Sequence, residues 1–279
     1  MFRLKSFSGD IEFNTLLREI VKQEIGISGI ALDEFVEKKS NRLWNYFNKN
    51  QRKLISNSSC NPYYEIVSSK HKLIKSTCTT NPKGYSQLKL NRYKGRPNIL
   101  EKIDELDSRE YEALACQTVK LLGSKRFVLT PPGNEAGIDF IATINFGSDA
   151  HFLFGSNGPI RIIGQCKKYT SESQVNSIKE FNQTLLDVYS LTDKVKEFIP
   201  HWFRSSRGPI IGWMIAHSGF QSGAYDRAKN YGIICSDSKD IAELISTSRK
   251  YHPLLTQEER ADLLKDSIQE ILDQDIVAT

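Results

Sequence analysis

Residues 209–217 read Pro-Ile-Ile-Gly-Trp-Met-Ile-Ala-His, an apolar run without polar alternation. A strand of this kind is covered on both faces, so it belongs in a sheet with helices above and below rather than in a sheet with one wet side. The flanking segments supply those helices. Asp107-x-x-Glu110 is a capping box and Gly123 a stop for a helix whose Arg109, Glu110, Ala113, Gln117 and Lys120 share a mostly polar face. Glu112 falls instead with Ala115, Cys116, Val119 and Leu122, on the side that presses against the sheet, where a carboxylate needs a partner.

Phe127 to Thr130, a Pro131-Pro132-Gly133-Asn134 turn, Ile138 to Ile144, a Gly-rich excursion over 147–159 and Arg161 to Lys168 read as a β-meander. Val175, Ile178, Phe181, Leu185 and Leu186 mark an amphipathic helix ending near Leu191. After the apolar strand come a helix over 222–231, a strand over 232–235 and a capped helix over 237–248. The order α-β-β-β-α-β-α-β-α specifies an α/β fold, a mixed β-sheet flanked by helices.

Residues 10–56 carry helix-spaced apolar positions, so a smaller, mainly helical N-terminal domain is expected over 1–100, ahead of the α/β domain at 101–252. Thr256-x-x-Glu259 then caps a C-terminal amphipathic helix within 253–279, with Ala261, Leu264, Ile268 and Ile271 on one stripe. Its polar side is acidic, which favours docking on protein over contact with a duplex. The formal net charge is +5, but between Ile66 and Leu100 there are eight cations and no acid. Lys89, Arg92, Lys94 and Arg96, interleaved with Tyr85 and Tyr93, make this basic segment 66–100 a candidate for phosphate contact and stacking. A solvated connector has the same composition.

The start lacks the apolar run of a signal peptide, and no stretch approaches the roughly 18 apolar residues that span a bilayer, so a cytoplasmic protein without membrane contact is expected. Five scattered cysteines without a Cys-x-x-Cys pair signal neither a disulfide framework nor a zinc knuckle.

The chemistry concentrates in Gly137-Ile138-Asp139 and Ile162-Ile163-Gly164-Gln165-Cys166-Lys167. Strand alternation places Gln165 and Lys167 side by side with Cys166 turned away. With the Asp139 strand adjacent, the Asp139 carboxylate, the Gln165 side-chain oxygen and the Cys166 carbonyl form an oxygen set suited to Mg²⁺, while Glu112 from the first helix either ligates the metal through water or accepts a hydrogen bond from Lys167. Lys167 would hold the attacking water and offset charge developing on phosphorus. The candidate catalytic residues are Glu112, Asp139, Gln165 and Lys167. Lys168 and Tyr169, just past the motif, are candidate phosphate contacts. His217 reads as a structural hydrogen-bonder. The segment 192–208 is basic and aromatic, and packing is favoured for it because Ile199, Trp202 and Phe203 would otherwise be exposed.

Tyr111-Glu112, Gly137-Ile138-Asp139 and Gln165-Cys166-Lys167-Lys168-Tyr169, with Ala216-His217-Ser218-Gly219-Phe220 downstream, resemble the Mrr-like (type IV restriction) endonuclease family of the PD-(D/E)xK nuclease superfamily. The likeness covers roughly 101–252. It implies a restriction-endonuclease-like sheet and a Mg²⁺- or Mn²⁺-dependent DNA endonuclease that restricts foreign or phage DNA, acting as a homodimer or as a subunit of a defence complex. Gln165 stands where the superfamily usually has an acid, which removes one negative ligand. Two other readings share these residues: a non-catalytic nucleic-acid- or partner-binding module of a defence complex, and an RNA- or junction-directed nuclease.

Overall fold

The computed structural model describes residues 9–57, 64–76, 95–133, 136–145, 158–251 and 256–278. Its contacts separate into two units, Met1–Pro97 and Asn98–Thr279. The first contains β1 (Asp10–Glu12), α1 (Phe13–Glu24), α2 (Ile30–Asn57), β2 (Tyr64–Ser68) and β3 (Leu73–Ser76), the strands forming an antiparallel sheet in the order β1-β3-β2. Phe13, Leu16, Leu17, Val21, Trp44, Phe47, Tyr64 and Ile74 make its core, with the Phe13 and Trp44 rings edge-to-face at 5.2 Å. The unit is mainly helical as expected, with 12 residues in α1 and 28 in α2, and it also carries a three-stranded sheet. Residues 10–12 pair with Leu73–Lys75 far along the chain, and three residues are too few to show a period of their own.

The second unit is built on a sheet of five strands, β4 (Arg126–Leu129), β5 (Phe140–Ile144), β6 (Ile160–Lys167), β7 (Ile210–Ala216) and β8 (Ile234–Asp237), in sequential order. β4, β5 and β6 are antiparallel, the expected meander, and β6, β7 and β8 are parallel. Around it lie α3 (Arg96–Glu105), α4 (Ser108–Leu121), α5 (Val175–Ser190), the short turns α6 (Asp193–Lys196) and α7 (His201–Arg204), α8 (Ser222–Tyr231), α9 (Ser238–Thr247) and α10 (Gln257–Ala278). The apolar run is covered on both faces. Trp213 and Ile215 join a core with α3, α4, α9 and α10, while Met214 and Ala216 join another with α5, α8 and the 192–208 segment. The fold is thus a mixed α/β sheet flanked by helices. No helix among the described residues is long and apolar enough to cross a membrane.

Local chemistry explains the helix starts. Asp107 and Glu110 exchange side-chain and backbone hydrogen bonds in a capping box on α4, and Asp237 and Asp240 do the same on α9. The polar face expected on α4 is not observed, because Ala113 and Gln117 are fully buried. The C-terminal helix α10 covers that side, bringing Leu264, Ile268 and Ile271 into the same core, and Gln117 Nε2 donates to the Tyr251 hydroxyl at 3.3 Å. α10 thus lies within the second unit. The 192–208 segment packs inward through Val195, Ile199 and Phe203. Arg161 fixes it by donating to Gly208 O at 2.8 Å and to Phe203 O at 3.3 Å. Of the Gly-rich excursion, only Gly158 and Pro159 are described.

Candidate active site at the ends of β5 and β6

β5 and β6 run antiparallel with Phe140 opposite Gly164, so the residue before β5 meets the last turn of ladder on β6. Asp139 N–H donates to Gly164 O at 2.9 Å, and the Asp139 carboxylate accepts from the Cys166 N–H at 2.5 Å. The carboxylate is held beside Gln165 and the Cys166 peptide by this main-chain donor. The chain enters β5 through two consecutive left-handed residues, Ala136 with φ 53° and Gly137 with φ 80°. Their carbonyls are tied down by Thr184 of α5, whose hydroxyl donates to Ala136 O at 3.0 Å, and by Gln165 Nε2, which donates to Gly137 O at 2.9 Å. A Cβ at position 137 would lie 3.0 Å from Gln165 Nε2, so glycine is required both by conformation and by the amide behind it.

This geometry gives Gln165 a use that a carboxylate could not serve. Its Nε2 holds the Asp139 turn, while its Oε1 accepts no hydrogen bond among the described residues. Replacing Gln165 by Glu would set oxygen against the Gly137 carbonyl. A loss of about 1–3 kcal/mol is expected from the broken bond and the repulsion. Thermal melting checks this, and an unchanged or raised melting temperature would contradict it.

Glu112 comes from α4 with its side chain 24% exposed, and its expected partner is Arg109, one turn earlier, whose Nη1 lies 2.7 Å away. An i,i+3 spacing brings the two side chains together on one helix, although Arg109 belongs to the expected polar face and Glu112 to the expected inward one. Burial, and after it the charges of Asp139 and Glu112, push the Cys166 thiol well above its ordinary range. Both carboxylates therefore act on the Cys166 side chain near the end of β6. Lys167 is half-buried, its Nζ 5.9 Å from the Tyr169 ring centroid, and Tyr169 is 52% exposed.

Among the described residues no three His, Cys, Asp or Glu side chains form a metal-binding group. Of the residues expected to hold a metal, Asp139 and Glu112 carry carboxylates, and the Gln165 amide oxygen and the Cys166 carbonyl are the other expected donors. An all-oxygen set with an uncommitted Gln165 Oε1 fits a hard divalent cation.

The nucleic-acid candidates fare unevenly. Lys168 turns inward and donates to Ile103 O at 2.7 Å and Asp104 O at 3.1 Å, at the C-terminal end of α3, rather than pointing to solvent as a phosphate contact would. Arg96 is fully buried at the start of α3, so it too is withdrawn from the surface. Lys89, Arg92 and Lys94 lie outside the described residues. Thr184, which supports the Asp139 turn, gave no signal in sequence, since its partner Ala136 is distant along the chain.

Residues 103–245 match the restriction endonuclease domain Mrr_cat. No match was found among curated proteins. Among solved structures, the chain is similar to the MspJI restriction endonuclease in complex with a 27-mer oligonucleotide, with 15% identity and a TM-score of 0.40 over 66% of this chain and 38% of that one. The DNA modification-dependent restriction endonuclease AspBHI matches with 19% identity and a TM-score of 0.39, over 64% of this chain and 40% of that one. The chain corresponds to about two fifths of the length of these structures.

Proposed function

Since the chain belongs to the Mrr_cat restriction endonuclease family, we propose that its second unit hydrolyses DNA phosphodiester bonds with the aid of Mg²⁺ or Mn²⁺. The observation that supports this reading is the anchoring of Asp139 by the Cys166 N–H, which holds a carboxylate at the end of β6 that carries Gln165 and Lys167. Asp139, Gln165, Cys166 through its carbonyl, and Glu112 would hold the cation. When bound, such an ion lowers the pKa of water and offsets charge on phosphate.

The remaining work falls to the chain itself. Asp139 is oriented by a main-chain donor and does not have to find its position when substrate arrives, so its contribution is preorganised. Lys167 extends from the same face as Gln165, with no hydrogen bond or ion pair to Nζ among the described residues, and supplies a cation to the attacking water and to the phosphoryl oxygens. Glu112, shared with Arg109, orients water from the helix side. Tyr169 stacks beside Lys167 and contacts the backbone of the substrate. Restriction of foreign DNA in the cytoplasm follows from the family by analogy, and one site per chain favours a homodimer or a larger defence complex for cutting two strands.

Incubation of supercoiled plasmid with the full chain tests the reading. Nicked and linear forms are expected with Mg²⁺ or Mn²⁺ and none with EDTA. Cleavage that persists in EDTA would sink the metal assignment, and cleavage confined to labelled RNA or branched DNA would redirect the substrate.

A further inference from the structure

We infer that Lys168, His217, Ser238 and Tyr111 form a positioning network that fixes Lys167 and Glu112 in their working arrangement. The inference rests on the reading above, in which those two residues act at the phosphate. Each network member adjoins the site without entering it. Lys168 follows Lys167, Tyr111 precedes Glu112, and His217 N–H donates to Lys167 O at 2.8 Å.

The contacts to Lys168 favour one arrangement of the protons in this cluster. An ammonium has three protons and accepts nothing. Lys168 Nζ gives two to Ile103 O and Asp104 O, and its third faces His217 Nδ1 at 3.3 Å. That nitrogen is therefore an acceptor, and the network assigns the ring proton to Nε2, 3.6 Å from Asp104 Oδ1. Ser238 Oγ stands 2.9 Å from Nδ1 and 3.0 Å from the Tyr111 hydroxyl, so the serine donates to the imidazole, sharing the single Nδ1 lone pair with the longer Lys168 contact, and accepts from the tyrosine. Burial first, then the charge of Lys168, holds the His217 pKa below its ordinary value, which agrees with a neutral ring facing Asp104, Asp237, Lys168 and Lys239.

Five elements meet here: α3, α4, the ends of β6 and β7, and the start of α9. Lys168 lies where the α3 carbonyls run out and the helix dipole favours a cation, and its Nζ is 5.4 Å from the Tyr111 ring centroid. Clamping Lys168 to α3 sets the backbone direction at the end of β6, and with it the opposite side to which Lys167 projects. A misplacement of about 1 Å at a reacting group costs on the order of 10²-fold in rate.

The test uses the full chain with Lys168→Met, His217→Leu, His217→Asn and Ser238→Ala, measuring cleavage rates with Mg²⁺, DNA affinity with Ca²⁺ at several salt concentrations, and melting temperature. Lys168→Met and His217→Leu are expected to lower kcat about 10–100-fold, with KM, affinity and salt dependence unchanged. His217→Asn should recover most of the rate, because the amide oxygen replaces Nδ1 as the acceptor. Ser238→Ala, the mildest change, should lose several-fold in kcat and serves if the larger variants do not fold. A full kcat in Lys168→Met or Ser238→Ala overturns the proposal, as does His217→Asn falling as far as His217→Leu. Weaker DNA binding in Lys168→Met with a salt slope reduced by about 1 and kcat intact would make Lys168 a phosphate contact instead. Lys167→Met, run alongside, separates the two levels: if it stays active, the catalytic assignment itself fails.

Discussion

Replacing Lys167 by methionine is expected to slow plasmid nicking by at least about 10²–10³-fold while leaving the fold intact. The fold should survive because no hydrogen bond or ion pair reaches Lys167 Nζ among the described residues, its ammonium lying only over the Tyr169 ring at 5.9 Å. Methionine keeps the aliphatic stem that covers the end of β6 and removes the charge alone. The loss would therefore be of charge stabilisation at phosphorus, not of structure. Asp139→Asn makes the matching case from the metal side, since an amide oxygen can still accept from the Cys166 N–H while the negative charge is gone. Initial rates of conversion of supercoiled to nicked plasmid, read beside melting curves, check both. Either variant retaining its rate within about 5-fold would contradict the site, because removing one such electrostatic contributor costs far more.

Gly164→Val should damage stability severely. A Cβ built on Gly164 lies 2.0 Å from Cε1 and Cζ of Phe140, its opposite number on β5. Phe140 is fully buried and set edge-to-face against Trp213 at 6.0 Å, so its ring has nowhere to retreat. The two strands would have to separate or slip, and slipping by one residue would turn Gln165 and Lys167 to the other face. A loss beyond about 3 kcal/mol is expected, or roughly 6–12 °C in melting temperature for a unit of this size. The double variant Gly164→Val with Phe140→Ala should recover part of it, giving a non-additive cycle. A single variant that melts with the parent chain would show that the contact is not a constraint.

Much of this arrangement was legible along the chain. The apolar run of β7 implied helices on both faces, and Trp213 and Ile215 do go one way while Met214 and Ala216 go the other. The capping boxes at Asp107, Asp237 and Thr256 need only residues three apart, so they appear where spacing put them. The meander placed Asp139 beside β6 through turn residues alone. The alternation of Gln165, Cys166 and Lys167 is likewise a local property of a strand.

Other features depend on residues that local spacing cannot bring together. Ala113 and Gln117 looked like a solvated face because α10, which buries them, comes more than a hundred residues later. β1 has no period of its own and exists because β3 accepts it. Lys168 reads as a phosphate ligand from its place beside the motif, yet its ammonium donates to two carbonyls of α3 and faces the His217 ring just past β7. The sequence by itself determined the order of strands in the five-stranded sheet, their faces and the identity of the group at each proposed catalytic position, since these follow from periodicity and from neighbours within a few residues. Only the tertiary structure decided which long side chains act outward and which are held. The tip of a lysine or glutamine has several angstroms of reach, and the distant carbonyl it finds first sets its role.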